Sequence, residues 1–289
     1  SVWSYKQDWD DLTRRIGFWV DLDHPYITYT NEYIETVWWI LKEVWKKGLL
    51  YQGHKILPYC PRCQTPLSSH EVSLGYEEVK DPSIYVKAAV RGQENTYFLV
   101  WTTTPWTLIS NVALALHPET TYVKVRHQDQ LLILAQARLT VLDGPYEVVE
   151  QYAGKDLAGW DYEPFYSFVQ PDKKAHYTVL GDFVTTTDGS GIVHIAPAFG
   201  EDDYQLGLKY DLPFLQPVDK AGAFTAEVTP WAGQFVKDAD KSIIIDLKKR
   251  GVLNRSEPYL HSYPHCWRCK SPLLYYGRKS WYIKTTAIK

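Results

Sequence analysis

The 289-residue sequence contains no methionine, not even at position 1. A natural chain needs an initiator and a large enzyme carries several more, so the sequence is expected to be an excised piece of a longer protein. It also has no apolar run near the roughly 20 residues of a membrane span, so no membrane partner is expected. No charged, apolar and small-residue leader opens it, nothing marks it for secretion, and the expected location is cytoplasmic. An excess of one charge is missing too. The formal net charge is −3, which does not announce a nucleic-acid binder. The basic clusters Lys46-Lys47, Lys173-Lys174 and Lys248-Lys249-Arg250 read as solvated helix ends or loops. A G-x-S-x-G elbow, a P-loop and a dinucleotide glycine fingerprint are all absent.

Aromatic residues, in contrast, are abundant. There are 12 Trp and 22 Tyr in a chain that is 45% hydrophobic and 22% charged, within the range of soluble globular proteins. Residues 1–50 look helical. Asn31 can cap a helix in which Ile34, Val37, Trp38, Leu41, Val44 and Trp45 recur at helical spacing, and Gly48 can end it. A strand-like HKILPY follows. From about residue 81 short β-rich runs succeed one another: 84–90, 95–102, 122–127, 130–136, 146–152, 176–181 and 191–196, punctuated by turn residues such as Asp143-Gly144-Pro145 and Asp188-Gly189. Helical patches near Glu201–Tyr210 and Lys237–Arg250 interrupt them. The expected fold class is α+β, a β-barrel-like core with attached helices, preceded by a helical segment.

All four cysteines fall in two matching segments, CPRCQTPL at 60–67 and CWRCKSPL at 266–273. Each has the shape of a zinc knuckle, a tight turn that presents two thiolates, and two knuckles complete a tetrahedral site. Cys60, Cys63, Cys266 and Cys269 are therefore the expected ligands of a structural Zn²⁺. Redox dithiols would open helices where Pro66 and Pro272 stand, and disulfides fit poorly with a chain that has no secretion signal. His54, His70, His261 and His265 lie close enough in sequence to replace a ligand. A shared metal would bring both ends of the β-rich block together, as for an insertion mounted on a clip. A closed four-cysteine shell leaves no open position for catalysis.

Two stretches could carry chemistry. In LVWTTTPWTLISN, Thr102, Thr103 and Thr104 end a strand that Pro105 stops, and the following residues can begin a turn of helix with free N–H groups. Hydroxyls and N–H groups together can hold a ribose hydroxyl, an ester carbonyl or a water, although a β-branched strand end before proline is common. In DGSGIVHIAPAFGEDDY, a strand carrying His194 runs into a turn, and Asp203 follows in the first turn of the next helix. A lone histidine on an apolar strand is more often a core residue. Glu201 and Asp202 are accounted for by the helix dipole, whereas for Asp203 a dipole role and a pocket role are equally supported.

These two stretches resemble the threonine-rich and G-T-G-x-V-H-x-A-P…D motifs of class I editing synthetases. RRIGFWVDLDHPYITY, YIETVWWILK, YCPRCQTPLSSHEV and HCWRCKSPL narrow the resemblance, along essentially the whole chain, to bacterial-type isoleucyl-tRNA synthetases. It covers the connective insertion and not the synthetic site, because H-x-G-H and K-M-S-K-S signatures are missing. The resemblance implies an aminoacyl-tRNA ester hydrolase, without synthetic activity, that removes valine from the mischarged acceptor end of tRNA(Ile), with valyl-adenylate a further possible substrate. Alternatives are an editing domain of valyl or leucyl specificity and a non-catalytic tRNA-docking module.

By the same resemblance, Thr102, Thr103, Thr104 and Thr107 line the pocket, Asn111 supports that wall, and Trp106 packs beside the adenosine or under the threonine loop. Asp203 pairs with the substrate α-ammonium. His194 bounds the side-chain pocket and helps place water. The implied division is a helical stem with the first zinc knuckle (1–80), a β-rich editing domain (81–260), and the second knuckle with a return segment (261–289). The rest of the synthetase chain is an expected partner. One departure is Gly189-Ser190-Gly191 in place of G-T-G, which keeps the hydroxyl and loses a methyl.

Overall fold

The helix expected after residue 30 forms, but its cap lies one residue earlier than the sequence suggests. The computed structural model describes residues 2–288. In it α1 spans Lys6–Arg15 and α2 spans Asn31–Lys46, and the Thr30 side chain accepts the Tyr33 N–H at 3.4 Å. Asn31 is thus the first helical residue and not the cap; threonine, one of the preferred capping residues, holds that position. Gly48, at φ +67°, ends α2 as expected.

The remaining elements follow in order: β1 (Leu50–Cys60), β2 (Thr65–Pro66), α3 (Ser69–Ser73), β3 (Tyr76–Ala89), β4 (Thr96–Thr102), β5 (Ala113–Leu116), β6 (Thr121–His127), β7 (Gln130–Ala135), β8 (Tyr146–Ala153), β9 (Tyr177–Leu180), β10 (Ile192–Ile195), α4 (Glu201–Tyr210), α5 (Val236–Lys249), β11 (Leu253–Pro264) and β12 (Leu274–Ile283). No helix among the described residues is long and apolar enough to cross a membrane.

The chain divides into two compact units. One runs up to Gly53 and resumes at Ser280; the other is His54–Lys279. In the first, the Leu49 carbonyl accepts the Lys284 N–H, and Trp45 meets Trp281 with ring centroids 5.7 Å apart. No residue of α1 or α2 is buried, and Trp38 and Trp39 on α2 are 67% and 62% exposed.

The second unit is organised on β4, every residue of which is apolar or threonine and at least half-buried. One edge of β4 pairs antiparallel with β3 along its whole length, from Ile84↔Thr102 to Ala89↔Tyr97. The other edge is shared: residues 96–98 pair with β7, and Trp101 pairs with Val193 of β10, both parallel. The resulting sheet has nine strands, with the path β8-β6-β7-β4-β10-β5-β9 and the β3/β11 ribbon branching from β4. This is the barrel-like sheet with attached helices that the β-rich runs suggest.

Alternation along β4 sorts its side chains to two faces. Phe98 and Val100 enter a core that α5 covers with Val236, Ala239, Ile243 and Leu247. Leu99 joins Val123, Val125, Leu132 and Leu134 on the opposite face. Each such fully buried aliphatic or aromatic side chain contributes about 1.5–3 kcal/mol. A third cluster, with Ile195, Val179 and Leu206, seats α4 over β5, β9 and β10. On β10, His194 therefore shares the face of Ile192, which is the face of the α5 core.

Candidate functional site

β4 ends at Thr102, and after two further residues a 3-10 helix spans Pro105–Ser110 with proline in its first turn. The fixed φ of Pro105 suits the start of a helix, and its ring stops the strand. This reversal folds the threonines back on one another. Thr102 Oγ1 lies 3.2 Å from Thr104 Oγ1 and accepts the Thr104 N–H at 3.1 Å. Thr104 Oγ1 lies 3.2 Å from Thr107 Oγ1, and Thr107 Oγ1 lies 2.9 Å from His194 Nε2. A continuous chain of polar atoms thus runs from Thr102 through Thr104 and Thr107 to His194. Thr103 stands outside it and makes no side-chain hydrogen bond among the described residues.

The protonation pattern follows from donor counting. Thr107 donates its single hydroxyl proton to the Thr104 carbonyl at 2.7 Å, so its oxygen accepts from His194 Nε2–H. His194 is then a neutral imidazole with a lone pair on Nδ1. That Nδ1 is buried and has no partner among the described residues. Burial lowers the His194 pKa to about 4, so the ring stays neutral at physiological pH. A buried acceptor of this kind is open to a water or to a donor on a substrate.

Asn111 ends the 3-10 helix with its amide fully committed. It donates to the Ala113 carbonyl at 2.9 Å and accepts the Tyr162 hydroxyl at 2.6 Å. It therefore props the wall from behind. Trp106 is buried edge-on against Phe199 at 4.8 Å, with its indole N–H unpartnered among the described residues.

Asp203 sits in the first turn of α4, two residues after the start that Gly200 allows. Its Oδ2 accepts the Ala196 N–H at 2.8 Å, which fastens it to the end of the strand that carries His194. Burial raises its pKa to about 7, with Asp202 adding repulsion and the Ala196 N–H opposing the shift. Upstream, the G-S-G turn depends on its last glycine. Gly191 has φ +76°, and a Cβ there would lie 2.4 Å from the Ala135 Cβ. Ser190 is buried and its hydroxyl faces the Ile192 carbonyl at 3.4 Å, so it belongs to the turn and not to the threonine chain.

The two cysteine pairs come together although the inner two, Cys63 and Cys266, are 203 positions apart. All four sulfurs lie within 4.8 Å of one another, and Cys60 Sγ is 3.4 Å from Cys269 Sγ. The two knuckles share one backbone device: the residues after the second cysteine of each, Gln64 and Lys270, have φ +53° and +61°. The cysteines are not disulfide-bonded. A tetrahedral ion bound at about 2.3 Å would space sulfurs about 3.8 Å apart, so the donor set fits a metal. None of His54, His70, His261 and His265 belongs to the cluster. From it the β3/β11 ribbon leads into the large sheet, paired from Tyr76↔Pro264 to Leu253↔Val86.

A family described as tRNA synthetases class I (I, L, M and V) matches residues 1–289. The chain belongs to these class I tRNA synthetases. It is 57% identical to the isoleucine-tRNA ligase of Clostridium acetobutylicum over all 289 residues, which make up 28% of that protein. It is 51% identical to the isoleucine-tRNA ligase of Bacillus thuringiensis (strain Al Hakam), again over its whole length and 28% of the relative. This synthetase chain thus spans little more than a quarter of the relatives it matches. Among solved structures it is similar to the crystal structure of GlLeuRS-CP1, with a TM-score of 0.49 and 15% identity, over 61% of this chain and 99% of that one. It is also similar to the editing domain of the Plasmodium knowlesi cytosolic leucyl-tRNA synthetase, with a TM-score of 0.44 and 12% identity, over 65% and 98%.

Two side chains that hold the threonine turn in place were not legible in the sequence. Tyr162 fixes the Asn111 amide, and Asp240 accepts the Trp106 N–H. Both reach the threonine turn from distant segments, so no local spacing announces them.

Proposed function

We propose that this chain is the editing part of a cytoplasmic isoleucine-tRNA ligase and hydrolyses the ester of valine mistakenly attached to tRNA(Ile). The observation that carries this reading is the hydroxyl chain Thr102–Thr104–Thr107 ending on a neutral His194, with Asp203 fastened to the same strand end. The high identity to isoleucine ligases supports the choice of amino acid. Such an activity answers a physical limit, stated in general form for this enzyme class: one missing methylene discriminates by only about 1–3 kcal/mol, so a second, smaller site must remove the wrong product.

In this reading the threonine hydroxyls, Thr103 among them, take the terminal ribose and the ester carbonyl. His194 closes the side-chain pocket against isoleucine and helps place the attacking water by accepting a hydrogen bond from it at Nδ1. Asp203 takes the substrate ammonium. A positive charge beside a carboxyl whose pKa is near 7 favours its ionised form, so binding itself creates the ion pair. An aminoacyl ester is already activated, and a positioned water needs no protein nucleophile. Trp106 packs under the threonine turn, against Phe199. The cysteine cluster would hold Zn²⁺, which closes the base of the β3/β11 ribbon and takes no part in hydrolysis. The exposed tryptophans of α2 are where the remainder of a synthetase chain would pack.

The test is deacylation of valyl-tRNA(Ile) and isoleucyl-tRNA(Ile) by this chain beside Asp203→Ala. Loss of valine with isoleucine spared, abolished by the substitution, is expected. Equal hydrolysis of both esters, or full activity in the variant, overturns the assignment.

A further inference from the structure

The 3-10 helix Pro105–Ser110 and its N-cap carry two of the site's hydroxyl-bearing residues, Thr107 and Thr104, yet its own sequence leaves its start uncapped. Thr104, at the N-cap, makes no side-chain capping bond, because its hydroxyl faces Thr102 and Thr107. Pro105 has no N–H, and the Thr107 N–H is taken by the Thr104 carbonyl at 3.0 Å. The Trp106 N–H would therefore be orphaned inside the core, where Trp106 is only 3% exposed. A residue 134 positions later removes the deficit: Asp240 Oδ1 accepts that N–H at 2.9 Å. Asp240 is itself buried, near the start of α5, and α5 packs directly on the 3-10 helix.

We propose that Asp240 is a positioning residue of the editing site, whose carboxylate holds the Trp106 N–H and thereby sets the turn that delivers Thr104 and Thr107 to His194. It touches neither substrate nor water and acts through the backbone of the loop. The inference rests on the editing reading given above.

The surroundings of Asp240 explain why its state changes near neutrality. Burial raises its pKa to about 7, against the lowering by the Trp106 N–H and by Lys237, while Asp81 and Asp238 repel its charge. From its own helix Lys237 and Asp238 face it; from β3, Asp81, which pairs with Lys237 at 3.0 Å; from β11, Tyr263 and, through Asp81, His261 at 3.2 Å. Protonation weakens the acceptor on Trp106, so the turn is held most firmly above neutral pH.

The test has an arm that does not depend on hydrolysis. In the ¹⁵N-labelled chain the Trp106 amide proton is expected to shift with a midpoint of about 7, and Asp240→Asn is expected to abolish that titration. In deacylation of valyl-tRNA, Asp240→Ala is expected to lower kcat about tenfold or more with KM within about twofold, and Asp240→Asn, which keeps an oxygen acceptor, to restore kcat to within about threefold. Lys241→Gln, at an exposed position next along the same helix, leaves both constants unchanged. Should the alanine variant fail to fold, Asp240→Glu, which displaces the oxygen by one methylene, is expected to show the same loss of kcat. Wild-type kcat in the alanine or glutamate variant, asparagine as slow as alanine, or a Trp106 amide indifferent to Asp240 overturns the proposal. A wild-type chain that spares valyl-tRNA sinks the editing reading instead, and the amide titration then decides the Asp240–Trp106 bond alone.

Discussion

Thr107 Oγ1 stands between the Thr104 carbonyl, 2.7 Å away, and His194 Nε2, 2.9 Å away, so one threonine sets the tautomer of the one histidine in the site. The carbonyl takes the hydroxyl proton, Nε2 keeps its own, and Nδ1 is left as a buried acceptor. With its pKa lowered to about 4 by burial, the ring is expected to remain neutral, as the Nε2–H tautomer, throughout the pH range of activity. Histidine ¹⁵N shifts would reveal this directly; a His194 ring titrating near 6.5 would contradict it. Thr107→Val removes the acceptor for Nε2–H, and hydrolysis of valyl-tRNA should fall by about ten- to a hundredfold.

In its proposed role Asp203 trades stability for binding. Its folded pKa, about 7, lies above the ordinary 3.8, so its contribution to stability is full below pH 3.8 and is lost as pH rises through 7. Asp203→Asn cannot ionise and still offers an oxygen to the Ala196 N–H. It should therefore melt a few degrees higher than the wild type at pH 8, and within about 1 °C of it at pH 4. The same variant should lose valyl-tRNA hydrolysis, and in the wild type KM should rise as pH falls below 7. Thermal unfolding at the two pH values is the check, and a variant less stable at pH 8 would show that the buried charge costs nothing.

Sequence patterns gave the helices and central strands where side chains alone specify them. The helix at Glu201–Tyr210 is legible from its acidic first turn, the runs at β4 and β6 from their density of β-branched and aromatic residues, and β7 from its short apolar run between turns. β5 was not legible, because Ala-Leu-Ala-Leu has little intrinsic strand preference and is a strand only through β9 and β10. Nor was β11, which is absent from the β-rich runs named above: Pro258 interrupts its pattern, and it is a strand only because β3 lies beside it, with Pro82 opposite Pro258. In the site, the residues of the two motifs could be named, but not the bonds that join Thr107 to His194. Those depend on β10 pairing beside the end of β4, a contact between segments 92 residues apart at Trp101↔Val193.

The cysteine cluster should carry one Zn²⁺ per chain, measurable by elemental analysis of the purified protein. Cys269→Ser leaves three sulfur ligands, and should lower both the metal content and the melting temperature, the latter by about 10 °C if roughly 3 kcal/mol of metal-linked stability is lost. Chelation of the wild type should have the same effect. Hydrolysis by folded, metal-free protein should persist, since the threonine turn and His194 lie outside the cluster. Loss of activity with no change in melting would instead place the metal in the chemistry.

Gly200 offers a way to move Asp203 without altering its chemistry. Its backbone, at φ −147°, is extended and open to any residue, so the demand for glycine comes from space alone. A Cβ there would lie 2.8 Å from Asp203 Cγ and 2.9 and 3.0 Å from the two carboxylate oxygens. In Gly200→Ala the side chain of Asp203 must swing aside, which breaks its bond to the Ala196 N–H and moves the charge from the place proposed to receive the ammonium. The Cβ meets only the end of one side chain and no backbone, so the melting temperature should change by less than about 3 °C. KM for valyl-tRNA should rise about tenfold or more, with a smaller effect on kcat, because the lost contact binds ground state and transition state alike. Steady-state kinetics of this variant beside Asp203→Asn decides the matter: wild-type KM in Gly200→Ala would mean that the position of Asp203 in the structure is not the one that receives substrate.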